Sequence, residues 1–165
     1  MDQDVLAGYR APSQLVLDKE IDHVDEHCRR FLELSPFATL ATADADGWPD
    51  VSPRGGDPGF VKVLDPARLA LPDRPGNNRV DSLRNLAANP RATLLFFVPG
   101  IEETLRVFGT AELVPADALD LDLTEFGREP RSAWAPFGEV LKDHCRLGTP
   151  LPDDATMRAE LATEL

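Results

Sequence analysis

The sequence predicts a mainly β protein with peripheral helices, folded as a closed or nearly closed antiparallel barrel. Three observations carry this expectation. There are about six short strand-like runs, they are linked by Asp-, Gly- and Pro-containing turns, and a single clear helical run interrupts them instead of alternating with them as in a parallel α/β sheet. At 165 residues the chain is the size of one domain with a workable core. The expected organisation is a single domain over 1–165, with an N-terminal helix at 18–34, a barrel core at 37–114 and a helical or irregular segment at 115–165.

Residues 1–17 are mixed and interrupted by Pro12, and read as an arm. Asp18 is a candidate N-cap. After it Ile21, Val24, Cys28, Phe31 and Leu32 recur at helical spacing with charged residues between them, up to Ser35-Pro36, which ends the run. The period then changes. Residues 37–42 and 48–53 flank Asp44-Ala45-Asp46-Gly47 as a hairpin, and residues 60–64 and 68–71 flank an Asp65-Pro66 turn as a second pair. A helix is expected over 78–88, stopped by Asn89-Pro90. Residues 91–98 (RATLLFFV) are apolar enough for a strand buried on both faces, and residues 104–114 return as another, with Gly109 a candidate bulge or close approach. Short helices are expected near 117–123 and 135–147.

Composition narrows the function. Seventeen basic against 29 acidic residues give a net charge of −12, and the basic residues form no stripe, which opposes nucleic acid and anionic membrane surfaces as partners. No apolar run approaches the ~20 residues of a membrane span, and Met1-Asp2-Gln3-Asp4 lacks the basic start of a signal peptide, so a cytoplasmic protein is expected. Cys28 and Cys145 are too few and too distant for a disulfide framework.

The most informative segment is the loop Pro72-Asp73-Arg74-Pro75-Gly76-Asn77-Asn78-Arg79, between a strand-like and a helix-like run. Its prolines stiffen it, Gly76 widens its backbone choices, and Asn77 and Asn78 tolerate left-handed geometry while offering amide donors. If a helix starts at Asn77 or Asn78, its free N–H groups and positive dipole end join Arg79 around one anion. The same residues also suit an ordinary β-to-α turn with a solvated arginine.

Several motifs in fixed order decide between the two. Asp50-Val51-Ser52-Pro53-Arg54-Gly55, Pro58-Gly59-Phe60, the loop at 72–79, Asp81-Ser82-Leu83-Arg84-Asn85 and Asn89-Pro90 together resemble the FMN-binding split-barrel proteins, in the pyridoxamine 5'-phosphate oxidase-related branch. The resemblance covers residues 31–114. It implies a six-stranded antiparallel split β-barrel of Greek-key type, FMN as cofactor, and a homodimer with flavin at its interface acting on a small molecule. Carried over by residue, Asp50, Val51, Ser52, Pro53 and Arg54 line the ring and ribityl chain, and Pro72 and Asp73 form a second lining strand. Asn77, Asn78 and Arg79 match the phosphate loop, where the family usually has a Ser or Thr and two basic residues; only Arg79 is basic here. Arg106 falls where a second subunit often reaches the flavin. The Arg-x-Glu-x-Trp and Arg-x-His patterns of the true oxidases have no match, Arg131-Ser132-Ala133-Trp134 being a faint echo, so a flavin reaction other than vitamin B6 phosphate oxidation is expected.

A flavin carries its own electron chemistry, so no catalytic residue is assigned; donors near Val51 and Ser52, with Arg54 or Arg106, would steady charge on the reduced ring. Arg54 and Arg106 equally suit surface pairs with nearby acids, and Trp48 suits a packed barrel-edge aromatic better than a flavin stacker. Two other readings stand beside this one. A non-catalytic flavin or haem carrier uses the same barrel. His23-Val24-Asp25-Glu26-His27 matches the H-x-x-E-H pattern of zinc peptidases on one helix, but offers no third ligand, so no metal site is assigned. His144-Cys145, as sequence neighbours on a helix, point too far apart for a nucleophilic pair.

Overall fold

The computed structural model describes residues 8–74, 79–119, 121–124, 130, 132–135 and 139–141. The order of elements is α1 (Gln14–Leu17), β1 (Glu20–Ile21), α2 (Glu26–Leu34), β2 (Phe37–Ala43), β3 (Pro49–Gly55), β4 (Lys62–Asp65), β5 (Arg68–Asp73), α3 (Asp81–Ala88), β6 (Arg91–Phe97), β7 (Thr104–Thr110), β8 (Glu112–Pro115), a 3-10 turn (Ala116–Ala118), β9 (Ser132–Ala135) and β10 (Glu139–Leu141). Two antiparallel sheets of a split barrel result. One has the order β1-β10-β7-β6-β2-β3 and the other β4-β5-β9-β8. No helix among the described residues is long and apolar enough to cross a membrane.

The β2–β3 hairpin forms as expected. Asp44 Oδ1 accepts from the N–H of Asp46 and of Trp48, both at 2.9 Å, and Gly47 closes the turn with a φ of 86° that favours glycine. In the second pair Asp65 Oδ1 accepts from the Ala67 N–H at 2.8 Å, and a bulge lies between Val63 and Asp65. Strand β2 is the pivot. It pairs with β3 along its whole length and, across a long connection, with β6. Its residues alternate: Ala38, Leu40 and Thr42 are buried, while Phe37, Thr39, Ala41 and Ala43 face outward. With Leu94 and Phe96 from β6, Val107 from β7, Leu69 and Leu71 from β5 and Phe31 and Leu32 from α2, the inward residues build one core.

Four expectations are corrected. The N-terminal helix begins at Glu26, not near Asp18: Asp25 caps it by accepting from the Cys28 N–H at 2.8 Å, whereas Glu20 and Ile21 pair with Leu141 and Val140 as a strand. Ile21 and Val24 kept helical spacing, yet a long-range strand partner claims the first. Strand β6 is buried on one face and half-buried on the other. The run 104–114 is two strands. It breaks at buried Ala111, whose N–H bonds the Pro90 carbonyl at 2.8 Å as the chain leaves one sheet for the other, and the β6–β7 ladder runs through Gly109 with no bulge. Residues 132–135 and 139–141 are strands where a helix was expected near 135–147, the rest of which lies outside the described residues, and the helix expected over 117–123 is met, among the described residues, by a 3-10 turn at Ala116–Ala118 that overlaps it at residues 117 and 118.

Ser35 ends α2 as the sequence suggests. Its buried hydroxyl donates to the Phe97 carbonyl at 2.6 Å and lies 2.9 Å from that of Phe37, tying the helix end to the first and last residues of neighbouring strands. Gly55 allows this corner to close, because a Cβ there would stand 3.0 Å from the Pro36 carbonyl oxygen.

Candidate functional site

Directly opposed residues of an antiparallel pair share a face, so pairing with Thr42, Leu40 and Ala38 turns Asp50, Ser52 and Arg54 inward, while Val51 and Pro53 point outward. The expected lining strand is therefore divided between two surfaces. Val51 is 62% exposed. Arg106, opposite Leu95, stands on the same outward face, with its guanidinium 5.7 Å from the Phe108 ring centre. Trp48 is 74% exposed at the hairpin tip, where a packed edge aromatic was expected; the turn holds its backbone, and its ring is largely open among the described residues.

The inward residues meet the first turn of α3. Ser52 Oγ and Ser82 Oγ are 3.2 Å apart, and Arg54 Nη2 donates to Ser82 Oγ at 3.2 Å. Arg54 lies within reach of the charges of Asp73, at the end of β5, and of Asp50. Burial holds its pKa below the ordinary guanidinium range, and the two carboxylates partly offset this. An arginine stays charged in such a place. Its Nε is buried and has no hydrogen-bond partner among the described residues. That is a charged donor aimed where an acceptor is missing, the condition an anionic ligand relieves.

Around it stand further donors. Arg74 donates from Nη1 to the Gly55 carbonyl at 3.3 Å, and burial lowers its pKa against the charge of Asp57. Helix α3 starts after Val80, which supplies no side-chain cap, and its first carbonyl bond is Arg84 N–H to Val80 at 2.9 Å. The N–H groups of Asp81, Ser82 and Leu83 thus lack acceptors inside the helix. This moves the helix start from the expected Asn77 or Asn78 to Asp81. Asn77 and Asn78 themselves lie outside the described residues. Arg79 is 77% exposed, and its Nε and Nη2 both reach Asp81 Oδ2, at 2.9 and 2.8 Å. Pro72 is buried in β5 opposite Ala133.

One turn further along α3, Asn85 Nδ2 donates to Thr42 Oγ1 at 3.0 Å in a fully buried bond. Ser82 and Asn85 are the polar residues that the helix buries, and neither was singled out as a site residue from sequence. The available signal was their i, i+3 spacing on the face that also carries Leu86. His23 precedes α2 and pairs with Asp22 at 3.0 Å, so His23 and His27 do not share the helix face that a zinc pair requires. Cys145 and His144 lie outside the described residues.

The family model described as pyridoxamine 5'-phosphate oxidase matches residues 24–161. A pyridoxine/pyridoxamine 5'-phosphate oxidase of Anaeromyxobacter dehalogenans is 37% identical over 123 residues, 74% of this chain and 54% of that protein. The one from Pseudomonas paraeruginosa is 35% identical over 120 residues, 70% of this chain and 52% of that protein. The chain thus spans about half the length of the curated relatives it matches. Among solved structures, a Lactobacillus delbrueckii protein described provisionally as a pyridoxamine 5'-phosphate oxidase has a TM-score of 0.55 at 23% identity, covering 74% of this chain and 98% of that one.

Proposed function

The chain belongs to the pyridoxamine 5'-phosphate oxidase family, and from that premise we propose that it is a cytoplasmic, homodimeric, FMN-binding oxidoreductase acting on a small molecule other than a vitamin B6 phosphate. The observation that carries the reading is the convergence of Ser52, Arg54 and Ser82 within 3.2 Å at the start of α3, with the Arg54 Nε buried and awaiting an acceptor. These residues fit a flavin phosphate. Arg54 and the helix N–H groups of residues 81–83 would hold the negative group, the hydroxyls of Ser52 and Ser82 would hydrogen-bond it or the adjoining chain, and Asp50 and Asp73 keep Arg54 charged and in place.

The flavin, when bound, supplies the electron transfer. The protein's part is to bind and aim it. Arg79, held by Asp81 on the surface, is in this reading an auxiliary cation, with Asn77 and Asn78 as donors from the adjoining loop. Asp73 and Pro72 set the β5 edge of the site, and Val51, Pro53 and Arg106 belong to its subunit-facing side. What supports a homodimer is the outward face of the larger sheet, where Phe37 is 41% and Val51 62% exposed and Leu95, Phe97 and Phe108 are only half-buried.

Purified protein tests the reading directly. It should be yellow, release FMN identified by mass spectrometry, and bleach with NAD(P)H. Flavin that stays bound but never turns over would replace the oxidoreductase with a carrier on the same barrel, and released deazaflavin or haem would replace the cofactor. A colourless protein with stoichiometric zinc would sink the proposal.

A further inference from the structure

Arg74 is a half-buried cation beside the Arg54 cluster, and the flavin contacts proposed above do not use it. It follows Asp73 at the end of β5 and turns toward the corner where β3 ends. That corner is fixed. The Gly56 N–H bonds the Pro36 carbonyl at 3.0 Å and the Gly59 N–H that of Ser35 at 3.3 Å, so the loop after β3 is pinned to the end of α2. The Gly55 carbonyl then accepts from Arg74 Nη1 at 3.3 Å, while Asp57 in the same loop supplies counter-charge. Gly55 adjoins Arg54, and Asp73, which adjoins Arg74, acts on the Arg54 charge. Two guanidinium groups are thereby brought to one corner of the barrel, each with its Nε closed off from water. Their carboxylates differ: Asp73 and Asp50 act on Arg54, and Asp57 acts on Arg74. With these acids around it the corner has no excess of positive charge, and what it offers an anion is N–H groups of fixed direction.

We propose, on the premise that the site takes a flavin, that Arg74 is its specificity-determining residue: together with Arg54 it selects a terminal phosphate monoester over a phosphodiester. A monoester presents three acceptor oxygens and a charge of about −1.5 to −2 at neutral pH. Donors from three directions match it. Arg54 comes from β3, Arg74 from the end of β5, and the N–H groups of residues 81–83 from the start of α3. A diester, bonded at a second oxygen, has fewer acceptors and less charge. It would leave one of these directions unanswered where water does not reach the Nε atoms, and it would have to lead a second chain out between the same donors. Arg79 lies outside this trio, exposed and held by Asp81 at 2.8 Å.

The test is calorimetric titration of the purified protein, freed of any bound flavin, with FMN, FAD and riboflavin. FMN should bind at least about tenfold more tightly than FAD. Arg74→Met keeps the bulk and removes the charge. It should weaken FMN on the order of tenfold to a hundredfold and leave FAD and riboflavin within about twofold of the parent, so that the preference largely disappears. Arg74→Lys restores a cation without the guanidinium fork, and should recover part of the lost FMN affinity. A parent that binds FAD as tightly as FMN overturns the inference, and so does an Arg74→Met variant that keeps the parent's preference. Equal loss for all three flavins in both variants also overturns it, since Arg74 would then serve the fold. A parent that binds no flavin defeats the flavin proposal and this inference with it, whereas FMN binding indifferent to Arg74 defeats this inference alone.

Discussion

Arg54 and Arg91 both sit beside the larger sheet, but on opposite faces and in opposite states. Arg54 is drawn inward between Asp50 and Asp73, bonded to Ser82, with a buried Nε that no described residue accepts. Arg91, on the outward face of β6, is open to water. The contrast is one of solvation. A desolvated guanidinium is costly unless its remaining donor is matched, as the proposed flavin phosphate would do, whereas a solvated one is idle without cost.

The sharpest way to break this distinction is Arg54→Met, which keeps the bulk and removes the charge. Flavin affinity should fall by about 1.5–3 kcal/mol, read by fluorescence titration; an unchanged affinity would remove Arg54 from the proposed phosphate site. Next is Asn85→Ala. It removes the buried donor to Thr42, the polar tie between α3 and β2, and should cost about 1–3 kcal/mol of stability in urea unfolding. A smaller effect is expected from Arg79→Ala. Because the Arg79–Asp81 pair is exposed, flavin affinity should change by less than about 1 kcal/mol, and a loss matching that of Arg54→Met would return the phosphate to the loop.

The smallest effect provides a control remote from both arginines. A hydrogen bond from Arg68, helped by the Ala67 N–H, holds the Asp65 carboxyl below its usual 3.8. Since the folded value is the lower one, this contribution is present above about pH 3.8 and is lost as the pH falls through the folded value. Asp65→Asn should flatten the acid limb of the urea-midpoint profile slightly and leave flavin affinity unchanged; a variant as acid-sensitive as the parent would remove the carboxylate from that account.

Much of the barrel was legible because local chemistry dictates it. The alternation of residues 37–43 and the Asp44–Gly47 turn require a hairpin whichever partners surround it. The N-terminal helix was read too long because Ile21 satisfies helical spacing while its pairing with Val140 leaves no local trace. Motif order groups Ser52, Arg54 and Asp73 in one expected lining, and the fold does bring them near one another around the start of α3. It could not show that period-two alternation divides Val51 and Pro53 from their neighbours, since that depends on which face β2 turns to the core. Ser82 and Asn85 stand in the Asp81–Asn85 motif yet receive no site role from sequence, because short polar residues on an amphipathic helix ordinarily mark its wet side, and only tertiary contact reveals them buried.

The alternation of β2 makes the protein unusually sensitive to changes in its length. One strand supplies Thr42 to the interior bond with Asn85 and turns Ala41 and Ala43 outward. A single-residue insertion near its middle would exchange these assignments for everything beyond it, sending a methyl group to the helix and a hydroxyl outward. A change of length within this segment must therefore come in steps of two or be absorbed as a β-bulge, as β4 absorbs one between Val63 and Asp65.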